Sequence, residues 1–221
     1  MRYRLPLLLS LLLSLAACKS SAGSAQGADA GHEAPQRDAK APHAQLAPTD
    51  VVPGASIYPL KANLVDQSGA AVGLDVYRGS IVLIAMFYSS CPFACPTLIS
   101  HLKQIDAALP EEVRKDTRVL LVSFDPAHDT PAVLSNLASE RKSDLTRWKF
   151  VTTGEEQVRE IAVMLGITYR GADGSFNHSS VITILDREGK IDLRADGLAD
   201  DTDAVVARLT ELSRNPIRAV P

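Results

Sequence analysis

Residues Ile81 to Leu109 read IVLIAMFYSSCPFACPTLISHLKQIDAAL, and the order of features in this stretch decides the fold. Ile81 to Tyr88 form a continuous apolar run, the pattern of a central strand covered on both faces. From Pro96 to Leu109 the residues Leu98, Leu102, Ile105 and Leu109 recur at helical spacing, and proline is tolerated in a helix's first turn. This stripe reads as core. Between strand and helix lies Cys91-Pro92-Phe93-Ala94-Cys95, so both sulfurs occupy a loop and a first helical turn. Unpaired amide N–H groups and the positive end of the helix dipole favour thiolate there, which predicts lowered pKa values for both cysteines. If the turn is helical, a spacing of four puts the two side chains on one face, where they can clamp one ion or close a reversible disulfide. A loop that small contributes little chain entropy as a staple, so the pair is better explained by chemistry than by stability.

Further along the chain, Val119 to Phe124 reads as a second buried strand, and Thr130 followed by Pro131 is a helix entry leading into Ala132 to Lys142. Glu155 to Leu165 fits another helix. Val181 to Leu185 and Ile191 to Arg194 flank Asp186-Arg187-Glu188-Gly189, a hairpin with a glycine turn, and Asp201 to Ser213 closes the chain as an amphipathic helix. Strands separated by helices and ending in a hairpin plus a helix predict an α/β domain with a central mixed β-sheet flanked by helices, spanning residues 51–221.

Towards the N-terminus the organisation changes. Arg2 and Arg4 precede an apolar run from Leu5 to Ala17, which has the form of an export signal and is short for a bilayer span of roughly 20 apolar residues. Leu15-Ala16-Ala17-Cys18 look like a bacterial lipobox, so residues 1–18 are expected to be a lipoprotein signal ending at a lipidated Cys18. Acyl chains on Cys18 would hold the protein to a bacterial membrane, facing the periplasm. Residues 19–50 are rich in Ala, Gly, Ser, Gln and Pro and have no large apolar side chain before Leu46, so they cannot bury a core and read as a flexible tether. A tether of that length reaches on the order of 30 Å. His32 and His43 within it read as solvated residues. With Cys18 assigned to lipid, Cys91 and Cys95 are the cysteines left for an oxidising compartment, as a disulfide or a metal site. The formal net charge of -3 and the absence of a basic block argue against a nucleic-acid partner.

Three segments, YSSCPFACPTL (88–98), VSFDPAHDTPAVL (122–134) and FNHSSVITILDREGKI (176–191), resemble in order and spacing the signature segments of the Sco/SenC family of copper-binding cytochrome oxidase assembly proteins. The resemblance implies a thioredoxin-like fold in which Cys91, Cys95 and His178 bind copper. It also implies partners: the copper-bearing subunit of a respiratory oxidase, and other copper carriers or thiol reductases. One departure stands out, because the family often has an acidic residue where this chain has Phe93. Two thiolates suit Cu(I), and an added imidazole makes a mixed sulfur and nitrogen set that can also hold Cu(II). His178 is expected on a loop entering the strand Val181 to Leu185, so that it approaches the cysteines from a neighbouring strand end. Asp125 and Pro126 read as a turn, and Asp129 with Thr130 as a helix start. His128 is the first residue to test if a fourth ligand is needed, while His101 points away from both cysteines on a regular helix.

Three functions remain open on these residues. A metallochaperone would pass copper to an oxidase. A thiol:disulfide oxidoreductase would act on partner cysteines without metal, although its usual motif has two residues between the cysteines where this chain has three. A copper or redox sensor would bind metal and transfer nothing.

Overall fold

The computed structural model describes residues 55–172, 175–199 and 201–214. The export signal, Cys18, the tether and its histidines lie outside the described residues. Strands β1 (Leu64–Asp66) and β2 (Ala71–Val72) form a small hairpin, followed by a 3-10 turn at Leu74–Tyr77. The apolar run becomes β3 (Ile81–Phe87), with all seven residues buried. Then come α1 (Ala94–Ala108), α2 (Glu111–Asp116), β4 (Thr117–Ser123), α3 (Pro131–Glu140), β5 (Trp148–Thr152) and α4 (Glu155–Met164). The C-terminal part holds β6 (Tyr169–Ala172), β7 (Ser175–His178), β8 (Val181–Leu185), β9 (Ile191–Asp196) and α5 (Thr202–Arg214).

Seven strands make one mixed sheet in the order β2-β1-β5-β4-β3-β8-β9, while β6 and β7 pair with each other in a separate ribbon. The β3–β4 and β4–β5 pairs are parallel, and β8 and β9 run antiparallel to their neighbours. Helix α1 packs against α5, and α3 lies on β5 and β1. Sheet and helices meet in a core that includes Phe87, Leu98, Ile99, Trp148 and Phe150, all but shut off from solvent. This is the thioredoxin-like architecture, a central mixed sheet flanked by helices.

Local signals explain some element ends. Thr130 accepts a hydrogen bond from the Val133 N–H at 3.4 Å and Pro131 takes the first helical position, so α3 starts where cap and proline together place it. In the β8–β9 turn Gly189 has φ 77°, and a Cβ there would come within 2.6 Å of the Tyr58 ring, so both conformation and space demand glycine. Helix α1 begins two residues earlier than the apolar stripe indicated, at Ala94, which draws Cys95 into its first turn.

The register sets the position of the site. Phe87 at the end of β3 pairs with Ser123 at the end of β4, so the segments that follow both strands leave the sheet at one edge. Strand β8 runs the other way and pairs Ile182 with Ala85, which brings the residues just before β8 to that same edge. Crevices beyond the carboxyl ends of parallel strands are where α/β sheets bind their ligands.

Candidate metal centre

Cys91 and Cys95 leave β3 and enter α1, while His178 arrives from the ribbon, and the three offer ligand atoms all within 4.8 Å of one another. The approach of His178 differs from the loop expected for it. It is the last residue of β7, held opposite Tyr169 of β6, so a paired strand positions the imidazole. An aromatic cluster holds the ribbon against the sheet edge. The Phe124 ring centroid lies 4.9 Å from those of both Tyr169 and His178, and Tyr88 packs edge-on against Phe176 at 5.0 Å and His178 at 5.9 Å. Such contacts are worth about 0.5–1.5 kcal/mol each beyond area burial. The Tyr88 hydroxyl also accepts from the Phe176 N–H at 3.4 Å, tying the cysteine segment directly to the strand that carries the histidine.

The donor set fits a soft first-row ion. Bond lengths of about 2.3 Å to sulfur and 2.0–2.1 Å to imidazole nitrogen, as for zinc, set the donors of a three-coordinate ion about 3.7–4.0 Å apart. The three side chains therefore need to close by at most about an ångström to share one ion. His178 Nδ1 lies 3.2 Å from the Ser179 carbonyl oxygen. A carbonyl can only accept, so Nδ1 carries the hydrogen and Nε2 keeps the lone pair that a metal needs, an outer partner of the usual kind for a ligating histidine. Burial holds the His178 pKa below its ordinary value, against the opposing pull of that carbonyl, which keeps the ring neutral and ready to ligate.

The two thiols are not equivalent, which corrects the expectation that helix position lowers both. Both are free and buried. Burial opposes the Cys91 thiolate, but the backbone N–H groups of Cys95 and Phe93 and the side chains of Cys95 and Tyr88 outweigh it and hold this thiol below its usual range. The Cys95 N–H lies 3.3 Å from the Cys91 sulfur. Burial instead pushes Cys95 far up, and the nearby Cys91 sulfur and Asp129 carboxylate add to the effect against a single N–H from Tyr88. Position four residues further along carries Cys95 off the helix end and into the core, where desolvation wins.

The other sequence candidates separate from the centre. His128 projects into solvent with its Nδ1 on the Asp125 carboxylate at 2.8 Å. The group of metal-capable side chains found among the described residues does not include it. His101 is buried on α1 with Nδ1 3.3 Å from the Gly197 carbonyl oxygen and Nε2 3.4 Å from Asp201, away from the cysteines as expected. Asp125 forms the anticipated turn, its carbonyl accepting from the His128 and Asp129 N–H groups. Asp129 does not serve the helix start, which Thr130 caps. Its carboxylate turns instead to Ser89 and Ser123. Beside the centre runs an open groove of about 500 Å3, lined in part by Ala94, His178, Arg194, Asp196 and Leu198. Phe93 stands 82% exposed between the two cysteines.

Fold and site together define a thioredoxin-like domain that carries a metal-capable centre of two cysteines and one histidine. The chain belongs to the SCO1/SenC family, whose profile matches residues 60–214. Among similar proteins is the SCO2-like protein of Rickettsia typhi, 28% identical over 134 residues that make up 58% of this chain and 64% of that one. The fold is shared with Bradyrhizobium japonicum ScoI with copper bound, at a TM-score of 0.59 and 22% identity over 72% of this chain and 99% of that one. It is shared too with BsSco, described as a member of the Sco family of cytochrome c oxidase assembly proteins with a disulfide switch, at a TM-score of 0.62 and 22% identity over 68% of this chain and 90% of that one.

Proposed function

We propose that this chain is a metallochaperone that takes up copper through Cys91, Cys95 and His178 and delivers it to the copper centre of a respiratory cytochrome oxidase. The observation that carries the reading is the convergence of two sulfurs and one imidazole nitrogen within 4.8 Å from two separate places in the chain. Copper bound to the Bradyrhizobium ScoI and the assembly role named for the family of BsSco support it. Copper is the cargo, and the residues divide the work of holding it. Cys91 supplies a thiolate at little cost, Cys95 gives up a proton as it ligates, and His178 offers Nε2 without deprotonation. A three-coordinate site that faces a groove leaves room for a ligand from the acceptor, which is the geometry of ligand exchange. Phe93, with no charge at the mouth, gives an acceptor an apolar contact where the family often has an acid.

Titrating the reduced domain with copper, with the oxidation state read spectroscopically, is expected to give one ion per chain and none in the Cys91→Ala/Cys95→Ala double variant. Copper retained by that variant would place the metal elsewhere. Transfer is tested by mixing the loaded domain with a metal-free oxidase copper subunit.

A second reading has its own observation, the asymmetry of the thiols. A lowered Cys91 can attack a partner disulfide, releasing one partner thiolate and leaving a mixed disulfide. Cys95, once deprotonated, then attacks the Cys91 sulfur and releases the second, so two electrons pass to the partner and Cys91–Cys95 is left as a disulfide. The same exchange would prepare an acceptor's cysteines for copper.

A further inference from the structure

Asp129 is 1% exposed, and its side-chain hydrogen-bond partners among the described residues are neutral donors. The Ser89 N–H lies 3.1 Å and 3.3 Å from its two carboxylate oxygens, and the hydroxyls of Ser89 and Ser123 both donate to it. Ser123 in turn accepts from the Asp125 N–H at 2.9 Å, and the Asp129 N–H donates to the Asp125 carbonyl at 2.8 Å. Desolvating a carboxylate costs several kcal/mol, so a buried one without a cation is retained only where its hydrogen bonds do something that neutral groups do less well. The helix does not need it, because Thr130 is the cap. What the carboxylate joins is the start of the cysteine loop, two residues before Cys91, and the last residue of β4. Apart from it, the hydrogen bonds that order the turn among the described residues are the 3.4 Å contact from the Cys91 N–H to the Tyr88 carbonyl and the N–H groups of Tyr88 and Cys95 on the cysteine sulfurs.

We propose that Asp129 is a positioning residue for the centre, its buried carboxylate fastening the Ser89 end of the cysteine loop to the end of β4 and so holding Cys91 and Cys95 at the spacing one ion or one disulfide requires. The inference rests on the reading of Cys91, Cys95 and His178 as a copper site. It explains why Asp129 also lies near enough to Cys95 to disfavour its thiolate, a cost the protein carries in exchange for a fixed loop.

The test compares Asp129→Ala, Asp129→Asn and Ser89→Ala with the parent, with circular dichroism as the check on folding. Asp129→Ala is expected to weaken copper binding by about 10- to 100-fold, the usual loss for an outer partner of a metal site, and to shift or broaden the Cu(II)–thiolate absorption. Asp129→Asn keeps one acceptor oxygen for the Ser89 N–H and loses the other, so its affinity and spectrum should fall between those of Asp129→Ala and the parent. In the metal-free protein, Asp129→Ala should move the Cys91–Cys95 disulfide several-fold towards the dithiol in glutathione buffers, because a loosened loop lowers the effective concentration of one sulfur at the other. If Asp129→Ala fails to fold, Ser89→Ala decides, with a smaller change in the same direction. Parent-like affinity, spectrum and glutathione equilibrium in a folded variant would overturn the proposal. A parent that binds no copper would defeat the metal reading alone, and the glutathione equilibrium would still decide the role of Asp129.

Discussion

Cys91 and Cys95 show how four residues of separation can reverse the chemistry of a side chain. Cys91 sits outside the first turn of α1 among N–H donors, and Cys95 sits inside it among buried apolar groups. At pH 7, brief treatment of the metal-free reduced protein with iodoacetamide should therefore label Cys91 well ahead of Cys95, as read by peptide mass spectrometry. Labelling of Cys95 first would reverse the assignment of attacking and resolving thiols. The cysteine pair was legible from its spacing at a helix start, and His178 from the resemblance of its segment to the Sco/SenC family. The split in thiol pKa was not, since it depends on how far the helix start is drawn into the core. Nor was the role of Asp129, whose Ser89 partner lies 40 residues away in the chain.

At the scale of elements, β3, α1, β4, α3 and the β8–β9 hairpin were legible because each has a continuous apolar run, a helical stripe, a cap with proline or a glycine turn. Strand β5 has no such signal, since WKFVT is short and mixes Lys149 with buried neighbours. The ribbon β6–β7 has no apolar run at all and exists by pairing with itself and by packing Phe176 and Tyr169 on Phe124 and Tyr88. That ribbon carries His178, so loosening it should act on the histidine directly and on the thiols only through Tyr88. Phe176→Ala is expected to lower copper affinity by about 10-fold or more, as for loss of an outer partner, with a smaller change in the Cys91–Cys95 disulfide equilibrium. Unaltered copper affinity would mean that the pairing of β6 with β7 alone holds the imidazole.

A second element-scale expectation concerns acid. Burial opposes the charged form of Asp66 in the β1–β2 turn, yet hydrogen bonds from Lys149, Ser68 and Ala70 bring its pKa down to about 2 from 3.8. A depressed folded pKa stabilises the protein above the unfolded value, and this contribution is lost as pH falls from about 4 through about 2. It amounts to about 2 kcal/mol. Denaturant midpoints for Asp66→Asn should fall below the parent at pH 6 and converge with it near pH 2. A constant gap across that range would mean that the ion pair with Lys149 contributes nothing through charge.

For the whole molecule, we propose from the N-terminal sequence that a lipid anchor at Cys18 and a tether hold the domain to a membrane; among the described residues no helix is long and apolar enough to cross one. Cys18→Ser should abolish incorporation of a labelled fatty acid and shift the protein out of the membrane fraction, whereas label retained by the variant would remove the anchor. The central claim is that the centre exists to hold copper and that thiol chemistry serves it, and His178 separates the two. Thiol exchange needs two sulfurs, and a three-ligand copper site also needs the imidazole. The most direct measurement is copper affinity of the reduced His178→Ala domain, set beside its dithiol–disulfide equilibrium in glutathione buffers. The account predicts affinity lower by at least about 10- to 100-fold, the cost of losing even an outer partner, with the dithiol cycling as in the parent. Parent-like copper affinity in His178→Ala would contradict it and leave the two thiols as the working centre.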